Sequence, residues 1–302
     1  MMFQPQLFDE PSRVVNVATV PQRSPFRYAG GKTWLIPRIR RWLNPLTRET
    51  NHLRPIHVAE FIEPFAGGGI VSLTVAAEGL ADHITMVELD EDVAAVWQTA
   101  LDPDGSEWLA QRILQFTMKH ESVVALLAES PVTIQERAFR TILKNRTFHG
   151  GILAPGAGLL KYGENGKGIM SRWYPETLAR RIRNIAPLRD QITFIQGDGL
   201  ALMESRANRN DAVFFIDPPY TVKGKGKRAG SRLYRHSELN HEKLFALAET
   251  IQGDCLLTYD AANEVAELTL QHGLTYRPVA MKNTHHALMN EYLIGPNLAW
   301  LD

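Results

Sequence analysis

The stretch Asp211-Ala212-Val213-Phe214-Phe215-Ile216-Asp217 constrains this chain more than any other. Five apolar residues stand between two acids with no polar alternation, the pattern of a strand covered on both faces. Such a strand belongs in the middle of a parallel sheet, and parallel neighbours need crossover connections, usually helices. The rest of the sequence supplies both. Residues 57–63, 84–89, 192–196 and 254–259 read as further strands, with two last strand-like runs at 274–279 and 291–294. Helical spacing marks 32–43, where Pro37 limits or kinks the helix, and also 70–78, 93 onward, 241–251 and 263–272. The alternation predicts an α/β fold, a doubly wound Rossmann-like sheet. It is interrupted over about 98–190 by acidic helical stretches (107–119 and 122–128), a glycine-rich run at 149–158 and a basic helix at 175–184. The expected organisation is a flexible tail at 1–23, a core formed by 24–97 with 190–302, and a mainly helical inserted unit at 98–189.

Composition removes several classes of function. No 18 consecutive apolar residues occur, so no membrane span is expected. The first 20 residues carry Gln, Asp, Glu and Pro where a signal peptide needs an apolar stretch, and a cytoplasmic protein is expected. The one cysteine, Cys255, lies in an apolar run and reads as a small buried hydrophobe. The ten histidines have no ligand-like spacing, so no metal site is expected. Lys+Arg and Asp+Glu both number 33, but the zero net charge hides an asymmetry. Residues 13–54 hold nine basic residues against Glu49 alone, and 78–136 hold twelve acids against Arg112 and Lys119. Residues 137–189 then hold eleven basic residues against Glu164 and Glu176, and 223–235 six with no acid. Basic segments separated by an acidic one predict a polyanion groove on one face.

Two local motifs carry chemistry. Phe65-Ala66-Gly67-Gly68-Gly69 follows the first strand, where glycines let a backbone approach a ligand and a helix N-terminus offers N–H donors. A dinucleotide fingerprint read from Gly67 fails at Ser72. Glu88, ending the second strand, is placed to accept from a ribose diol, and Asp198, after the third, from an adenine amino group or as a helix cap. A nucleoside-containing ligand without a required pyrophosphate fits this set. Asp217-Pro218-Pro219-Tyr220 follows the central strand. An amino group on a purine ring is a poor nucleophile because its lone pair is delocalised. A carboxylate (Asp217) and a backbone carbonyl (Pro218), each accepting one N–H, favour a more tetrahedral nitrogen, and Tyr220 offers a face for stacking the base.

These residues resemble the Dam-type (D12 class, α group) N6-adenine DNA methyltransferases over about residues 24–300. The likeness rests on Phe26-Arg27-Tyr28-Ala29-Gly30-Gly31-Lys32, Glu63-Pro64-Phe65-Ala66-Gly67-Gly68-Gly69, Asn145-Arg146 and Asp217-Pro218-Pro219-Tyr220, in the family's order. It implies a class I methyltransferase sheet, S-adenosyl-L-methionine as cofactor, and a target recognition domain in the insertion. Cofactor contacts are implied for Tyr28, Lys32, Phe65, Gly67, Gly69, Glu88, Asp198 and Asp217, and a catalytic role for Asp217, Pro218, Pro219 and Tyr220. Double-stranded DNA is the expected partner, bound by Arg140, Lys144, Asn145, Arg146, Lys161 and Arg172 of the insertion. Lys223, Lys225, Lys227 and Arg228, after the catalytic loop, are expected on phosphates. A cognate restriction enzyme would be a further partner, and a monomer or weak dimer is expected. Rival readings are an RNA or cytosine-N4 methyltransferase, or a non-catalytic nucleic-acid-binding module of the same fold. Asp at position 217 argues against cytosine-N4 chemistry, and intact Asp217 and Tyr220 argue against a mere binder.

Overall fold

The computed structural model describes residues 17–27, 30–163, 166–219, 239–282 and 288–302. The central strand β4 (Ala212–Ile216) is buried at every residue. Its side chains alternate between two separate cores. Val213 and Phe215 join Phe61 and Leu256 on one face, and Phe214 and Ile216 join Ile62 and Leu257 on the other. A strand apolar at every position therefore needs both faces covered, which explains its lack of alternation.

Around it, β1 (Glu60–Glu63), β2 (His83–Glu88), β3 (Ile192–Gln196), β5 (Asp254–Asp260), β6 (Thr275–Lys282) and β7 (Leu288–Gly295) complete one sheet in the order 3-2-1-4-5-7-6. β1 to β5 are parallel, while β7 runs antiparallel to β5 and to β6. The order reverses between β1 and β4, and the carboxyl ends at such a switch point form a crevice.

One face of the sheet is covered by α1 (Ile36–Leu43), α3 (Ile70–Glu78) and α4 (Glu91–Leu101), after which α2 (Pro45–Thr50) extends α1. The other is covered by α9 (Gly199–Arg206), α10 (His241–Thr250) and α11 (Asn263–Gln271). Pro37 does not break its helix. A 3-10 turn at Lys32–Leu35 hands over to α1, whose first turn Pro37 occupies, where a missing N–H costs nothing.

Between β2 and β3 the chain adds α5 (Pro103–Gln115), α6 (His120–Ala128), α7 (Ile134–Thr147) and α8 (Pro175–Arg183). These helices do not build a core of their own. Leu109, Ile113, Phe139, Ile142 and Ile182 belong to the same apolar cluster as Trp97 on α4 and Phe61 on the sheet. The sequence reading gave no helix over α7, although its start is written locally. Thr133 and Glu136 form a reciprocal capping box, and Ala138, Phe139, Ile142 and Leu143 bury one face.

Ion pairs within the insertion and between it and the core also reduce the positive surface that the sequence predicts. Arg137 on α7 meets Glu91 at 2.8 Å, Lys144 meets Asp92 at 3.6 Å, and Arg183 on α8 meets Glu107 at 2.7 Å. Arg40 is paired with Glu78 at 2.7 Å. Glu78, Glu91, Asp92 and Glu107 of the acidic segment thus neutralise basic residues on either side of it, and these pairs reduce the expected polyanion groove. Among the described residues, no helix is long and apolar enough to cross a membrane, and no cluster of His, Cys, Asp or Glu could hold a metal. Cys255 is buried in β5.

Candidate active site

The carboxyl ends of β1, β2 and β4 open into a cavity of about 1220 Å³. Its sheet side is acidic. Glu63 ends β1, Glu88 ends β2, Asp198 follows β3 and Asp217 follows β4, and all four line the cavity.

The glycine turn joins β1 to α3. Gly67 donates its N–H to Glu88 Oε2 at 2.9 Å, and its carbonyl accepts from Trp97 Nε1 at 3.0 Å. Gly69 caps α3 in the left-handed region, with φ of +58°. A Cβ there would stand 2.7 Å from the Trp97 ring, so any side chain must displace the tryptophan as well as accept a strained backbone. The glycines therefore serve packing against Trp97. Gly69→Ala is expected to destabilise the protein by about 1–3 kcal/mol, the usual cost of overpacking, measured by urea unfolding.

Glu88 accepts the N–H groups of Gly67 and, at 2.8 Å, Asp90, so it braces the turn as well as facing the cavity. Burial raises its carboxyl to about 7, against those hydrogen bonds. Asp198 caps α9 by accepting from Leu200 N at 2.9 Å and still lines the cavity. Phe65, Gly67 and Gly69 line it too.

Lys32 is 2% exposed and organises the carboxyl end of β4. Its ammonium stands 3.0 Å from Asp217 Oδ1 and 3.5 Å from Glu291 Oε2, and donates to the Gly30 carbonyl at 2.8 Å. Thr258 on β5 donates to the same Asp217 oxygen at 2.7 Å. The carboxylate is therefore held in one rotation by two elements. Pro219 lines the cavity and Pro218 is buried beside it. Tyr28 and Tyr220 lie outside the described residues.

Sequence reasoning missed two acids. Glu63 is 3% exposed, accepts from the Ser72 hydroxyl and amide, and is pushed up to about 8 by burial, with the Asp217 charge adding to it. Its signal was its position at the end of β1. Glu291 comes from β7, and burial raises it to about 7 although the Lys32 charge opposes the rise. No local signal marks it, since only the folded sheet brings β7 beside the β4 loop.

These three raised carboxyls make a sign prediction. The folded chain keeps protons that an unfolded glutamate gives up near pH 4.5, so their contribution is complete below that value and is lost as pH rises through about 7 to 8. The urea midpoint is expected to fall between pH 5.5 and 8.5, and to fall less in Glu63→Gln. Surface carboxyls held down by arginine, Glu78 and Glu107, act only in the acid window below 4.5.

The expected DNA contacts of the insertion are placed unevenly. Asn145 is fully buried. Its Oδ1 accepts from Arg27 N at 2.8 Å, and its Nδ2 donates to the carbonyls of Arg27 and Gly151 at 3.0 and 2.8 Å. It fastens the N-terminal segment to the insertion and has no face toward a base edge. Arg140 is half-buried and donates to the Leu127 carbonyl at 2.8 Å, and Lys144 is paired with Asp92. Lys161 is exposed, while Arg146 and Arg172 line the cavity. Lys223, Lys225, Lys227 and Arg228 lie outside the described residues.

The strand order and the reversed seventh strand make this a Rossmann-like class I methyltransferase sheet. No protein-family model and no curated protein matches the chain. Solved structures that overlap it are described as methyltransferases. A candidate RNA methyltransferase from Pyrococcus horikoshii is 10% identical, with 92% of each chain covered and a TM-score of 0.40. Precorrin-6y C5,15-methyltransferase from Geobacter metallireducens is 12% identical over 83% of this chain and 85% of that one, with a TM-score of 0.31. An rRNA methyltransferase from Streptomyces viridochromogenes is 12% identical over 85% and 83%, with a TM-score of 0.33. Overlaps this loose say nothing about what this chain acts on.

Proposed function

We propose that this chain is an S-adenosyl-L-methionine-dependent DNA (adenine-N6) methyltransferase. The observation that carries the reading is Asp217, held at the mouth of β4 by Lys32 and Thr258 in the same cavity as the glycine turn and Glu88. The cavity suits the cofactor chemically. Its sheet side presents four carboxyl groups to a ligand with a sulfonium and an ammonium, and Phe65, Leu89 and Leu200 offer apolar surface for a purine. When bound, the cofactor supplies an electrophilic methyl group; orientation and electrostatics come from the protein.

In this reading Glu88 accepts from the ribose diol and Asp198 from the adenine amino group. Asp217 accepts one N–H of the target amino group, and the Pro218 carbonyl accepts the other, which localises the nitrogen lone pair. Such preorganised acceptors need no rearrangement at the moment of reaction. The N6 proton leaves afterwards to water. The target adenine is turned out of the duplex onto Tyr220. The 98–189 insertion is read as the target recognition unit.

The test is labelled methyl transfer to duplex DNA, to RNA and to cytosine-only duplex, followed by nucleoside analysis. N6-methyladenine in DNA alone supports the reading. Label confined to RNA or to cytosine N4 replaces it with one of the rivals, and cofactor binding without transfer points to a binding module.

Cofactor binding adds a second test. A cationic ligand beside Glu63 and Glu88 favours their charged forms, so binding at pH 7.5 is expected to release protons. Calorimetry in buffers of different ionisation enthalpy measures the release, and Glu63→Gln is expected to diminish it.

A further inference from the structure

The same cavity also carries positive charge: Arg27, Arg146 at the end of α7, Arg172, and Arg181 on α8 line it. Arg146 is 4% exposed, its Nη2 donates to the Pro25 carbonyl, and its Nε has no hydrogen-bond partner. Arg181 is half-buried and donates to the Ser24 carbonyl at 3.1 Å. Burial lowers Arg146 to about 9, and the charges of Arg181, Arg27 and Arg172 push in the same direction. A guanidinium this deep, among three others, is costly unless an anion joins it.

We infer that Arg27, Arg146, Arg172 and Arg181 form a phosphodiester site, holding the DNA backbone beside the target nucleotide while the carboxyl groups at the strand ends hold the cofactor. The inference rests on the proposed activity and deepens it. A cofactor of net positive charge has one carboxylate to offer, whereas adjacent phosphates offer an anion each to Arg146 and Arg181. Guanidinium forks suit phosphate oxygens bidentately. Two of these residues, Arg146 and Arg172, were expected on DNA from sequence; Arg27 and Arg181 join them only through the fold. The site also changes the expected role. Phosphate contacts fix register and carry no sequence information, whereas base reading would fall to other residues.

The experiment compares wild type with Arg181→Gln, Arg172→Gln and Arg181→Lys. Fluorescence anisotropy with duplex DNA is read from 50 to 300 mM salt, calorimetry gives cofactor affinity, and methylation sites are mapped. Each Gln variant is expected to lose about tenfold in DNA affinity, within the usual range for a hydrogen bond to a charged group. Its salt slope is expected to shrink by about 0.9, with the mapped sites unchanged and cofactor affinity within twofold of wild type. Arg181→Lys is expected to keep most of the slope. Unchanged cofactor affinity also shows that the variant is folded. A relaxed preference at one base position, an unchanged slope, or a loss of cofactor affinity instead of DNA affinity overturns the inference while the proposed activity stands. A wild-type protein that neither binds nor methylates DNA overturns both.

Discussion

Asp217→Ala is expected to abolish methyl transfer while leaving duplex binding in place. Removing one preorganised acceptor costs about 10²–10³ in rate in other enzymes, and here the Lys32 ammonium would also lose its nearest carboxylate. Single-turnover transfer of labelled methyl, measured alongside DNA anisotropy, checks both halves. A variant retaining a tenth of wild-type activity would remove Asp217 from the mechanism. Asp217→Asn separates shape from charge. It keeps an oxygen for the target N–H and for Thr258, but it cannot neutralise Lys32.

The second large effect is on stability. Lys32→Met is expected to cost about 3–5 kcal/mol, the usual result of stripping one partner from a buried ionic group. Lys32 is 2% exposed and Glu291 4%, so solvent cannot replace the lost charge. Asp217 and Glu291 would be left facing each other, and Asp260, whose raised pKa the Lys32 charge opposes, would lose that support too. The double variant Lys32→Met/Glu291→Gln is expected to recover part of the loss, because it removes one of the stranded carboxylates. Urea unfolding of the two single variants and the double variant gives the coupling directly. Additive costs would mean that the two side chains do not share the ammonium.

Which parts of this site can be read without coordinates follows from the range of each interaction. Ala212–Ile216 announces a central strand because burial on both faces leaves no place for a polar residue. The glycine turn and the Asp217-Pro218-Pro219 loop are equally legible, since backbone conformation at Gly and Pro is decided within a few residues. The crossover rules then fix the hand of the parallel connections, while the order of the strands came with the fold. So the sequence alone determined a doubly wound sheet, a ligand crevice at the ends of β1 and β4, and an acid waiting there.

The tertiary structure decided what surrounds that acid. Lys32, Asp217, Thr258 and Glu291 are separated by up to 259 positions, and they meet only because β7 inserts between β5 and β6. Asn145 looked like a DNA contact and became an internal fastener, because the fold brings the Arg27 backbone against it. The basic segments looked like one groove, but the acidic helices α4 and α5 pack against α7 and α8 and neutralise Arg137, Lys144 and Arg183. Arg146 and Arg181 at the cavity instead donate to the Pro25 and Ser24 carbonyls. Charge along a chain is a sum over neighbours in sequence, whereas a binding site is set by which charges remain uncompensated after packing, and packing joins residues that are distant in the chain.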